Sequence, residues 1–126
     1  MQEIIKKCKF RGAGVVINVP PDLQSAWLES GFRLTFDKKE KSANTLVFAK
    51  DSVALLQFLE KGLKKVEEDS VLWIAYPKGT SKVKTDINRD TIRETVETFG
   101  LSTVTAVSIN DIWSALRFRP IDKVGT

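Results

Sequence analysis

The sequence contains no histidine and a single cysteine, Cys8, among 126 residues. Without histidine the chain lacks the commonest general base, the usual zinc ligand and every Ser/His/Asp or Cys/His arrangement. A lone cysteine excludes an internal disulfide and a multi-cysteine metal site, so no metal centre is expected and a reducing cytoplasm fits best. Any catalysis must run on carboxylates, lysine, hydroxyls, Tyr76, Cys8 or a bound cofactor. Cys8 sits between Lys7 and Lys9, which favours its thiolate if the segment is exposed; otherwise it is incidental.

Long apolar runs are absent too. The longest stretch without a charge, Thr98 to Asn110, carries five hydroxyl residues and falls short of the ~18 apolar residues a membrane span needs. Glu3, Lys6, Lys7, Lys9 and Arg11 interrupt the start, so no signal peptide is expected. What is present is ordinary for a globular chain: 42% hydrophobic, 29% charged, net charge +4. One α/β domain over residues 1–126 is expected. The scattered lysines and arginines suggest a mild preference for anionic partners.

Four prolines punctuate the pattern. Val15 to Val19 reads as a short buried strand ended by Pro20-Pro21. A helix follows with Leu23, Ala26 and Trp27 on one face and Gly31 at its close. Arg33 to Phe36 and Thr45 to Ala49 read as the next strands. A helix capped by Asp51 or Ser52, with Leu55, Leu56, Leu59, Leu63 and Val66 as its stripe, should be the longest. Val71 to Tyr76, apolar throughout and ended by Pro77, is the central strand of a sheet covered on both faces. A helix bearing Ile92, Val96 and Phe99 closes at Gly100. Thr103 to Ile109 and Ser114 to Phe118 are joined too tightly for a crossover and must pair antiparallel. The expected fold is therefore a three-layer, Rossmann-like α/β domain, mostly parallel and ending in an antiparallel hairpin. Ligands bind such sheets beyond the carboxyl ends of their strands.

The second half carries a recognisable set of residues: Trp73, Ala75, Pro77, Lys78, Ser81, Thr85, Asp86, Asp90, Arg93, Glu94, Gly100, Leu101, Asp111, Trp113, Ser114, Leu116 and Phe118. It resembles an uncharacterised bacterial family of short proteins known only as a domain of unknown function. That resemblance implies a reduced relative of the class I methyltransferase sheet and almost nothing about activity. Methyltransferases of this class place a glycine-rich turn after the first strand. Here the turn reads Asn18-Val19-Pro20-Pro21-Asp22, with no glycine and two residues lacking an amide hydrogen. Asp37 sits where such enzymes often hold a ribose, although a strand-end aspartate is commonly a turn residue.

The loop from Pro77 to Asp86 places three ammonium groups and three hydroxyls before a helix N-terminus, a setting that favours a phosphate or carboxylate. The plain alternative is a solvated loop with Asp86 or Asn88 as the cap. Asp111, Trp113 and Ser114 occupy the last turn, as a pocket wall and base or as an Asx-type turn. The leading expectation is a non-catalytic or weakly catalytic domain that binds a small anionic, nucleotide-like ligand through Lys78, Ser81, Lys82, Thr85, Asp111 and Ser114. The alternatives are a degenerate S-adenosylmethionine-dependent methyltransferase-like enzyme that keeps Asp37, and a non-specific nucleic-acid binder using Arg117 and Arg119. Strands at Arg33 to Phe36 and Thr103 to Ile109 are candidate sheet edges, and an uncharged edge predicts a homodimer.

Overall fold

The computed structural model describes residues 2–124. It contains α1 (Gln2–Lys7), β1 (Val15–Ile17), α2 (Pro21–Glu29), β2 (Ser42–Phe48), α3 (Ser52–Gln57), β3 (Val66–Pro77), α4 (Arg89–Glu97), β4 (Leu101–Ser108) and β5 (Trp113–Pro120). The five strands form one mixed sheet in the order β1-β2-β3-β5-β4. β1, β2 and β3 run parallel, while β5 lies antiparallel to both β3 and β4.

Alternate residues of the central strands supply two separate cores, as the two-residue period of a pleated strand requires. On one face, Val47, Leu72, Ile74, Leu116 and Phe118 pack against Leu55, Phe58 and Leu59 from the α3 segment and Ile92 and Val96 from α4. On the other, Leu46, Phe48, Trp73, Ala75 and Ala115 meet Trp27, Phe32 and Cys8. The apolar run in β3 is thus explained by helices on both sides. Gly31 (φ 88°) and Gly100 (φ 81°) take the left-handed conformation that ends α2 and α4, a position only glycine occupies without strain.

Several expectations are corrected. Arg33 to Phe36 is not a strand. Only Arg33 bridges to Val15, through Val16 N–H to the Arg33 carbonyl (2.8 Å) and Arg33 N–H to the Gly14 carbonyl (2.9 Å). The chain then bends away into the turn at Asp37. The stripe from Leu55 to Leu63 does not form one long α-helix: α3 passes into a π-helical turn over Phe58–Gly62 and a 3-10 turn over Leu63–Lys65. α1 was not expected, since a six-residue helix with Ile4 and Ile5 side by side has too little length to show a period.

β5 is an interior strand, between β3 and β4. Arg119 folds back onto Asp69 through two contacts, 2.8 and 3.0 Å, and the Arg117 Nε is buried. The outward cationic row that would meet nucleic acid is therefore not formed by this strand. Cys8 is fully buried, and that burial pushes its thiol up to about 12 against the weaker pull of Arg117 and Lys7. A reactive thiolate at neutral pH is excluded on that account. No helix among the described residues is long and apolar enough to cross a membrane.

Candidate functional site

Two adjacent parallel strands send their chains to opposite faces. β1 leads into α2 on the Trp27 face, and β2 leads into α3 on the Phe58 face. Helices that diverge in this way leave a crevice at the carboxyl ends of the strands. A cleft of about 520 Å³ lies there, lined by the turn Asn18 to Pro21, by Phe48 and Lys50 after β2, by Ala54 and Gln57 of α3, and by Trp113 at the start of β5.

Local chemistry fixes each wall. Asn18 adopts a left-handed backbone (φ 57°), which asparagine tolerates better than most residues, and this turns the chain into Pro20-Pro21. Pro21 opens α2, where a missing amide hydrogen costs nothing. Trp113 stands edge-to-face on Phe48, with ring centroids 5.0 Å apart. Its position is set by Asn110, whose Oδ1 accepts the Ile112 and Trp113 amides, both at 2.9 Å. The Asx-type turn expected at Asp111 is thus made by its neighbour.

A second groove of about 400 Å³ adjoins the first and shares Asn18 and Gln57 with it. Ile17, Phe36 and Phe58 form its apolar floor, and Lys61 and Lys65 its rim. Gln57, Lys61 and Lys65 follow one another at four-residue spacing down the α3 segment. The ammonium groups of Lys50, Lys61 and Lys65 make no ion pair or hydrogen bond among the described residues. No group of three or more histidine, cysteine or acidic side chains that could hold a metal occurs among those residues.

The residues named from sequence fall nearby but are differently employed. Lys78 follows β3, its amide bonded to the Ile112 carbonyl (2.7 Å) and its Nζ to Ser108 Oγ (2.6 Å). Ser114 donates its hydroxyl to the Val107 carbonyl (3.1 Å) and pairs in register with Tyr76 and Ser108. Lys78, Ser108, Ser114 and the Asp111 turn are thus brought to one end of the sheet. Ser81 donates to the Lys78 carbonyl (2.8 Å), and Thr85 Oγ1 accepts the Ile87 amide (3.2 Å). Lys82 and Asp111 are exposed.

The amides expected to attract an anion at this loop meet the protein's own side chains. Asn88 and Thr91 form a reciprocal capping box at α4. Asp51 caps α3 through the Ala54 amide (2.9 Å), and Asp86 accepts both the amide (2.8 Å) and the hydroxyl of Ser52. The Ser52 hydroxyl, and then its amide, hold the Asp86 carboxyl below the ordinary value. Asp37 serves its own turn: its carboxylate accepts the Lys39 and Glu40 amides (2.7 and 3.1 Å) and pairs with Arg33 at 3.2 Å. The Lys39 amide first, then the Glu40 amide and Arg33, lower its pKa.

The cleft residues missed from sequence, Phe48, Gln57, Lys61 and Lys65, come from one strand end and one helix that read as ordinary core and surface. The one local signal was the four-residue spacing of Gln57, Lys61 and Lys65.

Sheet order, switch-point cleft and terminal hairpin define an α/β domain of reduced, methyltransferase-like Rossmann fold. A profile of the family described as "protein of unknown function (DUF3052)" matches residues 33–121, and the chain belongs to that family. Similar solved structures include LepI in complex with SAM (14% identity, TM-score 0.54, covering 94% of this chain and 39% of that one). A ribosomal protein L11 methylase from Lactobacillus delbrueckii subsp. bulgaricus (12%, 0.50, 84% and 56%) and a methyltransferase from Pyrococcus furiosus (11%, 0.50, 93% and 80%) are also similar. At these identities the likeness concerns the fold, and the chain spans about two fifths of the LepI chain's length. No curated protein sequence matches.

Proposed function

We propose that this domain binds a small anionic ligand, without catalysing a reaction of its own, in the cleft at the carboxyl ends of β1 and β2. The observation that carries this reading is the set of three lysines, Lys50, Lys61 and Lys65, around adjoining apolar grooves, none in an ion pair among the described residues. Aromatic and proline walls supply apolar contact, and the unpaired ammonium groups supply attraction for negative charge. A buried thiol at Cys8 accords with a cytoplasmic setting.

The fold directs attention to S-adenosylmethionine, but the residues present do not fit it. The turn after β1 offers no amide hydrogen at Pro20 or Pro21 and no glycine for close approach. Asp37 is committed to its own turn and to Arg33. A sulfonium with net positive charge would also meet three lysines of its own sign.

A thermal-shift panel of nucleotides, inorganic phosphate, organic acids and S-adenosyl compounds tests the reading. An anionic compound should raise the unfolding midpoint by several degrees, since a ligand at 100 times its Kd stabilises by about 2.7 kcal/mol. S-adenosylmethionine should not. No shift from any anion at millimolar concentration would defeat the proposal.

We also propose that β4 pairs with β4 of a second copy. It is one edge of the sheet, carries no charge from Leu101 to Ser108, and leaves Val104 44% exposed at a bulge. The opposite edge is covered by the Arg33 segment. Light scattering should give a dimer mass that Val107→Lys halves. A monomer mass throughout the micromolar range would contradict the pairing.

A further inference from the structure

The two grooves differ in chemistry and meet at only two side chains. Both have apolar floors; the first adds the Trp113 wall and one lysine, Lys50, the second two lysines, Lys61 and Lys65, and Asn18 and Gln57 line both. A ligand that fills them must have a flat, largely apolar head, polar edges near its middle and negative charge at its far end. Taking the ligand-binding reading as its premise, we infer that the ligand is a nucleoside diphosphate, with its heterocycle against Trp113 and its phosphoryl groups along Lys61 and Lys65.

Each part of that molecule meets matching chemistry. Trp113 and the Pro20-Pro21 turn bound the chamber for a flat ring, and an aromatic wall suits any base because every base has a π-face. The carboxamides of Asn18 and Gln57 each present a donor and an acceptor, the pair of functions that ring edges and ribose hydroxyls require. Beyond Gln57 the chain runs through the π-helical turn Phe58–Gly62 and the 3-10 turn Leu63–Lys65, which bring Lys61 and Lys65 to the same groove. Lys61 and Lys65 thus offer two ammonium groups in one groove, one for each phosphoryl group.

Like charges close together on one helical turn repel, and neither lysine has an ion-pair partner among the described residues. The same stretch carries the π-helical turn Phe58–Gly62, a feature that recurs at functional sites. Gly62 is required for that geometry, because a Cβ there would stand 2.7 Å from the Phe58 ring on the groove floor.

The test is isothermal titration of the full chain with ADP, UDP, adenosine, uridine and inorganic pyrophosphate. Wild type, Lys61→Ala/Lys65→Ala and, as a control on the other loop, Lys82→Ala/Lys84→Ala are compared after circular dichroism shows that each is folded. A nucleoside diphosphate should bind at least about tenfold more tightly than its nucleoside and than pyrophosphate. The Lys61/Lys65 variant should lose that advantage while its nucleoside binding stays unchanged, and the control should match wild type. Equal binding of nucleoside and diphosphate, or of pyrophosphate and diphosphate, would overturn the assignment. So would loss of affinity in the Lys82/Lys84 variant alone. Failure of all these ligands while another anion shifts the unfolding midpoint overturns the nucleotide inference and leaves the ligand reading standing. Failure of every anion removes both.

Discussion

Trp73→Ala is expected to lower stability by about 3–5 kcal/mol, the range for removing a buried tryptophan. Trp73 is fully buried in β3, the strand flanked by β2 and β5. Its indole N–H donates to the Cys8 carbonyl at 2.8 Å, so the substitution leaves a cavity and also releases the segment after α1. Trp73→Phe keeps most of the volume but strands the carbonyl, at a cost of about 1–3 kcal/mol. Urea denaturation monitored by circular dichroism checks both. A loss under 1 kcal/mol for the alanine variant would mean that this face is not packed as described.

Gly14→Ala should disrupt the start of β1 and lower both stability and ligand affinity. An alanine Cβ at this position would lie 1.9 Å from the Asn44 carbonyl oxygen and 2.7 Å from its Cβ. The obstacle is backbone in the neighbouring strand, so no rotamer change relieves it. β1 must move, at a cost of at least about 1–3 kcal/mol. Displacing β1 also displaces Asn18 at its other end, and with it the wall shared by both grooves. Gly12→Ala is the matched control, since nothing lies within 4 Å of its Cβ. Equal midpoints for the two variants in a thermal melt would contradict the account of this contact.

The fold was legible where burial imposes a period. Val71 to Tyr76 reads as a doubly covered strand because helices cover both faces, and the hairpin follows from a connection too short for a crossover. Gly31 and Gly100 were readable as helix ends because the left-handed backbone selects glycine. Arg33 to Phe36 misled because its alternation is real while its neighbour, β1, has only three residues. One bridge forms before Asp37 turns the chain.

The candidate site was less legible, for a reason of the same kind. The loop from Pro77 to Asp86 has the residue types of an anion site, but Asp86 occupies the amide of Ser52, 34 residues away, and no local pattern announces such a partner. The cleft is likewise assembled from four separated segments, contributing Asn18, Phe48, Gln57 and Trp113. Trp113 reads from sequence either as a pocket wall or as a residue packed on the hairpin. The residues facing it do not read as a wall, because Phe48 has the pattern of core and Gln57 that of a solvated helix face.

The central claim is that ligand binds at the switch-point cleft and not on the loop after β3. The most direct measurement is a nitrogen–proton correlation spectrum of the labelled protein titrated with the best anion from the thermal-shift panel. The three tryptophans act as built-in reporters, since Trp27 and Trp73 are fully buried while Trp113, 8% exposed, lines the cleft. The account predicts movement of the Trp113 indole signal and of the Asn18 and Gln57 side-chain amides, with Trp27, Trp73 and the amides of Lys78 to Asp86 unmoved. Shifts confined to Lys78 to Asp86, with Trp113 silent, would contradict it.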